Sequence, residues 1–201
     1  DLEKTKMYFR QIAKKAAEQN NFVWIDIESS GYADVTIAFF KAMYAEFSNV
    51  GLCLQAYLYR TEKDWNELKN SPGIRLVKGA YRESASVAFP SKKDVDANYL
   101  KLALQMIETA QNGKFRPGIA THDMKIVEAI KNTVNEKKWN PASIEFQMLY
   151  GINDDGQTLL TREGYKMRVL ISYGSAWFPW YMRRLAERPA NVWFVLKSMF
   201  R

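Results

Sequence analysis

A chain of 201 residues with 47% apolar and 14% aromatic residues is long enough to bury a core, and this composition excludes a disordered chain. The net charge of +7 suits an anionic ligand or surface, but the 29 cations are spread over the whole chain, which argues against nucleic acid. The single cysteine, Cys53, excludes an internal disulfide and fits a reducing compartment, and one cysteine with one histidine makes a metal site implausible.

The N-terminal residues 1–19 predict a charged amphipathic helix and not a signal peptide. After residue 20, short apolar runs alternate with longer helical patterns. The predicted strands are 22–28, 50–59, 74–81, 116–123, 143–151 and 167–174. Each run begins apolar and becomes polar at its end, which is typical of parallel strands that are covered on both faces.

Helical spacing of apolar residues between these runs predicts three more helices. They cover 32–47, 95–113 and 123–137. The second helix places Leu100, Leu104 and Ile107 on one face. The polar stretch 84–98, which overlaps the start of that helix, predicts an active-site loop.

Alternating strands and helices predict βαβ units and a parallel sheet. Six such units are countable, whereas an eight-stranded barrel typically needs about 250 residues. A six-stranded open sheet and a barrel without two of its units therefore both stay open at this point. In either case the polar strand ends meet at one edge and predict a ligand site, unless they only bond to loops. These residues are Asp26, Glu28, Gln55, Tyr57, Lys78, Tyr81, Thr121, His122, Asp123, Gln147, Tyr150 and Tyr173.

Two groups of cations need a partner. Arg75 and Lys78 lie in a run that should be buried, where a cation is unfavourable unless an anion or a hydrogen-bonding ligand compensates it. Near the C-terminus, Arg183 and Arg184 lie among aromatic residues, with Glu187 one helical turn further on. An arginine pair in such surroundings favours a planar anion, a carboxylate or a phosphate, over an exposed charged face.

The chain resembles the proline dehydrogenase family from about residue 20 to 200. The resemblance is carried, in order, by "WIDIE", "LQAYLYR", "IRLVKGAY", "GIATHD", "EFQMLYG" and "MRRLAERPANVWF". It implies one α/β domain over 1–201, a distorted (β/α)8 TIM-type barrel of which about six units are present. It also implies FAD-dependent oxidation of L-proline to Δ1-pyrroline-5-carboxylate, with electrons passed to a quinone. A cytoplasmic protein with peripheral contact at the inner membrane face is the location that fits this activity.

The resemblance also assigns roles to residues. FAD binding falls to Gln55, Arg75, Lys78, Gly79, Ala80, Thr121, His122 and Gln147. Substrate binding falls to Arg183, Arg184, Tyr81, Leu149 and Glu187, and catalytic roles fall to Arg75, Arg183, Arg184 and Asp26. In this scheme the flavin is the buried ligand that compensates Arg75, and Asp26 pairs with an arginine of the last helix.

Three features depart from the family pattern. The family's first two strands, with a lysine that contacts the substrate carboxylate, have no counterpart here. Leu170 and Ser172 stand where a tyrosine and a proline are usual, and Trp180 stands where a tyrosine is usual. We therefore expect either a part of a longer protein or a barrel that a second chain completes. A catalytically impaired or non-catalytic relative, and oxidation of another cyclic imino acid such as hydroxyproline, remain as alternatives.

Overall fold

The computed structural model describes residues 1–175, in which helices and strands alternate. The strands are β1 Val23–Asp26, β2 Val50–Gln55, β3 Gly73–Val77, β4 Arg116–Ala120, β5 Glu145–Leu149 and β6 Lys166–Leu170. The helices are α1 Leu2–Glu18, α2 Ala33–Tyr44, α3 Thr61–Leu68, α4 Lys92–Gln111, α5 Met124–Lys137 and α6 Asp154–Arg162. Single 3-10 turns occur at Ser30–Tyr32 and Pro141–Ser143. The six strands confirm the predicted ones, although each is shorter than the run that predicts it.

The six strands form one sheet in the order β1-β2-β3-β4-β5-β6, and the pairs from β1 to β5 are parallel. The register places five residues side by side, which we call the lower row: Asp26, Cys53, Arg75, Gly118 and Glu145. Two positions further along the strands lies the upper row: Gln55, Val77, Ala120 and Gln147. Because side chains alternate with period two, both rows lie on the same face of the sheet, which we call the polar face.

The other face of the sheet is apolar and packs against the helices. The strand residues on this face are fully or almost fully buried in one core with residues of α2, α4 and α5. The strands contribute Ile25, Leu52, Leu54, Ile74, Leu76, Ile119 and Phe146, and the helices contribute Phe40, Met43, Tyr99, Ile107 and Ile130. Burial of each large side chain contributes about 1.5–3 kcal/mol. This packing fixes the register, because a slip by one residue would turn the polar rows into the core.

Helix α4 begins earlier than the sequence indicates. The Ser91 side chain caps it by accepting a hydrogen bond from the Asp94 amide, so that the prediction of a loop is wrong for 92–98 and holds only for 84–91. The buried side of α4 is centred on Leu102 and Met106, and the predicted Leu100 and Leu104 are only partly buried. The loop that remains, between β3 and α4, lies at the carboxyl edge of the sheet.

The α/β class with parallel strands in chain order is confirmed, and this strand order is the one that a (β/α)8 barrel has. The chain divides into two compact units, Asp1–Val169 and Leu170–Arg201, of which the second is described only up to residue 175. The single domain over 1–201 therefore stays a prediction. Among residues 1–175, every helix is too short or too polar to cross a bilayer.

Candidate active site

Arg75 lies in the lower row and is paired with Asp26, two strands away. Its Nη2 donates a hydrogen bond to Asp26 Oδ1 at 2.5 Å, and its guanidinium lies over the Trp24 ring, 5.3 Å from the centroid. The Arg75 side chain is 10% exposed and that of Asp26 is 61% exposed, so the pair links a buried cation to solvent. Asp26 therefore compensates the charge of Arg75 within the protein, and the contact of Arg75 with a flavin stays a prediction. Asp26 holds Arg75, and its predicted pairing with Arg183 or Arg184 concerns residues outside the described part and stays a prediction.

Two buried polar atoms of the polar face lack a hydrogen-bond partner within residues 1–175. They are Arg75 Nε, a donor, and Gln55 Oε1, an acceptor. The Gln55 Nε2 donates to the carbonyls of Ile27 and Glu28, both at 2.9 Å, so both of its protons are used and only Oε1 remains for a ligand. A buried group without a partner costs about 1–3 kcal/mol. A planar heterocycle with both donors and acceptors, such as a flavin ring, fits these two atoms.

Lys78 follows β3 and lies between two carboxylates. Its Nζ is 2.5 Å from Asp96 of α4 and 2.8 Å from Asp123, the N-cap of α5. Lys92 pairs with the same two carboxylates from a position that is 72% exposed. The hydrogen bond from Lys78 holds the pKa of Asp123 below its usual value; for Asp96, burial acts to raise the pKa, but the hydrogen bonds from Lys78 and Lys92 bring it below the usual value. The Lys78 ammonium is thus already compensated by protein groups, and its contact with FAD stays a prediction.

The turn after β3 requires glycine. Gly79 has φ +111°, and a Cβ at this position would lie 2.2 Å from the Tyr57 ring. The Tyr57 hydroxyl is buried without a partner among the described residues, and burial raises its pKa to about 12. Ala80 follows, and the Tyr81 hydroxyl then bonds to the Glu28 carboxylate. The backbone at 79–81 is therefore held against the ends of β1 and β2.

The residues after β4 hold each other and β5. The Thr121 Oγ1 accepts a hydrogen bond from the Asp123 amide at 3.1 Å, and this threonine is buried. The His122 Nε2 accepts one from the Leu149 amide at 3.3 Å. His122 therefore has a structural bond to the end of β5, beside Leu149, and its contact with FAD stays a prediction.

Glu145 is a buried acid of the lower row that the sequence analysis missed. Its carboxylate accepts hydrogen bonds from Arg116 at 2.5 Å, Arg168 at 2.9 Å and Gln147 Nε2 at 2.7 Å. Burial alone would raise the pKa of Glu145, but the hydrogen bonds from Arg168 and Arg116 bring it below its usual value. One acid within the apolar stretch "SIEFQML" is the signal that could have found it, by the same reasoning that singled out Arg75.

The structure thus gathers Asp26, Gln55, Arg75 and Gln147 on one face, and places Lys78, Gly79–Tyr81, Thr121, His122 and Leu149 at its carboxyl edge. Arg183, Arg184, Glu187 and Trp180 lie outside the described residues. Within residues 1–175, no three His, Cys, Asp or Glu side chains are grouped to hold a metal ion.

A parallel sheet in sequential order, with polar residues at the carboxyl ends of its strands, places this chain in the barrel class of α/β proteins, whose ligand sites lie at that edge. The particular family follows from its sequence. The profile of the proline dehydrogenase family matches residues 3–197, and the chain belongs to that family.

Curated relatives agree with this assignment. Proline dehydrogenase 2 of Bacillus subtilis (strain 168) is 44% identical over 190 residues, which are 94% of this chain and 61% of the relative. Proline dehydrogenase of Deinococcus radiodurans is 42% identical over 195 residues, which are 96% of this chain and 62% of the relative. The chain thus spans about three fifths of the length of these relatives.

A solved structure shares the fold. The crystal structure of proline utilization A from Bdellovibrio bacteriovorus, inactivated by N-propargylglycine, aligns with a TM-score of 0.82 at 26% identity. The alignment covers 92% of this chain and 22% of that chain. The family resemblance and the expected fold class are both confirmed.

Proposed function

We propose that the protein oxidises L-proline to Δ1-pyrroline-5-carboxylate with FAD as the hydride acceptor, and that a quinone reoxidises the cofactor. The observation that carries this proposal is the pair of unsatisfied buried atoms, Gln55 Oε1 and Arg75 Nε, on the polar face of a family member. FAD, when bound, would supply the two-electron chemistry as acceptor of the hydride from the carbon next to the proline nitrogen, while the proton of the nitrogen would pass to water.

In this proposal, the chain's own residues bind the flavin ring and orient it for hydride transfer. Gln55 offers an acceptor and Arg75 a donor, and the positive charge of Arg75 favours a ring that becomes anionic on reduction. Gly79 gives the turn after β3 the conformation that packs against Tyr57, and the backbone of Gly79 and Ala80 would contact the cofactor from this turn. Lys78, Thr121, His122 and Gln147 would complete the cofactor contacts at the carboxyl edge.

Substrate recognition rests on the arginine pair. Arg183 and Arg184 would clamp the carboxylate of proline, with Glu187 holding their guanidinium groups in place. Tyr81, in the loop after β3, and Leu149, the last residue of β5, would enclose the ring. A charge-assisted hydrogen bond contributes about 1.5–3 kcal/mol, so that loss of either arginine raises the KM for proline strongly. The reaction is proposed to take place in the cytoplasm, at the inner face of the membrane where quinones are reduced.

An absorption spectrum tests the proposal directly. The purified protein is reconstituted with FAD, freed of excess cofactor and mixed with proline without oxygen. We expect flavin bands that bleach on addition of proline, and faster reduction by proline than by hydroxyproline or pipecolate. A protein that does not retain FAD, or whose flavin is not reduced by proline, contradicts the proposal. Faster reduction by hydroxyproline would change the assigned substrate but not the chemistry.

A further inference from the structure

The amide oxygen of Gln147 accepts no hydrogen bond within residues 1–175, and a neighbouring carboxylate decides that it is the oxygen and not the nitrogen that points away from β5's first residue. A glutamine amide has a donor end and an acceptor end of nearly equal shape, so its orientation depends on its partners. The Gln147 Nε2 lies 2.7 Å from Glu145 Oε1, and Gln147 Oε1 accepts no hydrogen bond from residues 1–175. The amide oxygen is therefore available to a ligand.

Two arginines keep the Glu145 carboxylate ionised, so that it acts as a hydrogen-bond acceptor. Two arginines donate to its carboxylate: Arg116 through Nε and Nη2 at 3.1 and 2.5 Å to one oxygen, and Arg168 through Nε at 2.9 Å to the other. The side chain is 4% exposed, and these hydrogen bonds lower its pKa enough to keep the buried group ionised. An ionised carboxylate can only accept, so the amide of Gln147 must turn its nitrogen toward it.

Gly118 leaves the space that this orientation needs. It lies beside Glu145 in the lower row, and a Cβ at position 118 would approach Gln147 Nε2 to 2.7 Å. Any larger residue would push the amide away from the carboxylate. Gly118 therefore allows the Gln147 amide to bond to the Glu145 carboxylate.

We propose that Glu145, held by Arg116 and Arg168, is a positioning residue that fixes the Gln147 carbonyl toward the ligand site, so that the site takes an N–H donor there. The imide N–H of a flavin ring is a group of this chemistry. This inference rests on the proposed function for the identity of the ligand, but not for the orientation of the amide.

A double-mutant cycle separates positioning from a structural role. The affinity for FAD is measured, by quenching of flavin fluorescence, for the wild type, Glu145→Gln, Gln147→Leu and the double variant. A neutral amide at position 145 can donate as well as accept, so Gln147 is free to turn its nitrogen toward the ligand. We expect Glu145→Gln to weaken FAD binding about tenfold, the loss of one hydrogen bond, but less than about twofold in the Gln147→Leu background.

Equal losses in both backgrounds would show that Glu145 acts through charge or folding alone and would overturn the proposal. Glu163→Gln is the matched control, because Glu163, the C-cap of α6, also pairs with a cation, Lys131, but lies outside the two rows of the polar face. It should leave FAD affinity unchanged.

A second measurement does not require any Glu145 variant to fold or FAD to bind. In the ¹⁵N NMR spectrum of the wild type, the side-chain amide of Gln147 is assigned by its absence in Gln147→Leu. We expect one of its protons to exchange slowly with solvent, because it is bonded to a buried carboxylate. Exchange as fast as that of an exposed glutamine would overturn the orientation. Slow exchange in a protein that binds no FAD would instead refute only the proposed function.

Discussion

Asp26 and Arg75 lie in one row of the sheet on either side of Cys53, and the 2.5 Å hydrogen bond between them joins β1 to β3 across β2. The carboxylate is mostly exposed and the guanidinium is buried. The bond therefore orients Arg75 on the polar face and also supplies the anion that the buried guanidinium needs.

The variant Asp26→Asn tests this orientation. We expect its unfolding free energy to fall by about 1–3 kcal/mol, because the buried Arg75 guanidinium loses its anion while the Asn amide oxygen can still accept a hydrogen bond. The rate of proline-dependent dye reduction at saturating proline should fall roughly tenfold to a hundredfold, since a misplaced group at a reacting centre costs about this much. The control Asp34→Asn removes an exposed partner of Arg60 and should leave the rate unchanged. An unaltered rate in Asp26→Asn would contradict a role for the pair in the reaction.

The variant Gly79→Ala tests the turn after β3. The positive φ of residue 79 and the 2.2 Å approach of a Cβ to the Tyr57 ring both oppose a side chain. We expect at least about 2 kcal/mol of lost stability in urea denaturation, together with weaker FAD binding. Gly113→Ala is the matched control, because nothing lies within 4 Å of a Cβ there. The same stability in both variants would mean that the loop rearranges without cost.

The fold was predictable because its signal is repeated. Six apolar runs that alternate with helical patterns can pair in few ways, and the structure has them in chain order as parallel neighbours. The residues at which the helices and strands begin and end were less predictable. Ser91 caps α4 four residues before the predicted helix, because one hydrogen bond from the Asp94 amide outweighs the polar character of the stretch.

The site was predictable as a set of residues but not as a set of contacts. Polar residues at strand ends indicate which side chains meet, since parallel strands share one carboxyl edge. They do not indicate that Asp26 pairs with Arg75, because that depends on a register across three strands. Glu145 was missed although its lone charge in an apolar strand is as informative as that of Arg75.

The variant Lys78→Met tests the charge cluster at the edge of the sheet. Without this ammonium, Lys92 is the one ionic partner that the carboxylates of Asp96 and Asp123 retain within residues 1–175. Both carboxylates have pKa values below the usual 3.8, so their contribution to stability is present above that pH and is lost as the pH falls through the lower folded-state pKa. We expect Lys78→Met to lose about 1 kcal/mol at neutral pH, and the difference from the wild type to shrink below pH 3.8.

The matched control for this cluster is Lys92→Met. Its ammonium bonds to the same carboxylates but is 72% exposed, so its removal should change the unfolding free energy by less than about 0.5 kcal/mol. Thermal unfolding at pH 7 and pH 3 measures both variants. Equal losses for the two lysines would show that burial of Lys78 does not matter. FAD affinity in the same proteins tests whether Lys78 also reaches the cofactor, because only that variant should then bind FAD more weakly.

The variant Glu145→Gln also tests the buried acid by its dependence on pH. Arg116 and Arg168 lose their shared anion, but both are partly exposed and reach water, so the loss at pH 7 should be about 1–3 kcal/mol. The pKa of Glu145 is lower in the folded protein than the usual 4.5. The stability that the carboxylate contributes is thus present above pH 4.5 and is lost as the pH falls through the folded-state pKa. Urea denaturation measures the unfolding free energy of wild type and variant at pH 7 and pH 3.5. We expect the difference between the two proteins to be large at pH 7 and smaller at pH 3.5. A difference in unfolding free energy that stays constant, or that grows on acidification, would mean that Glu145 is protonated in the folded state.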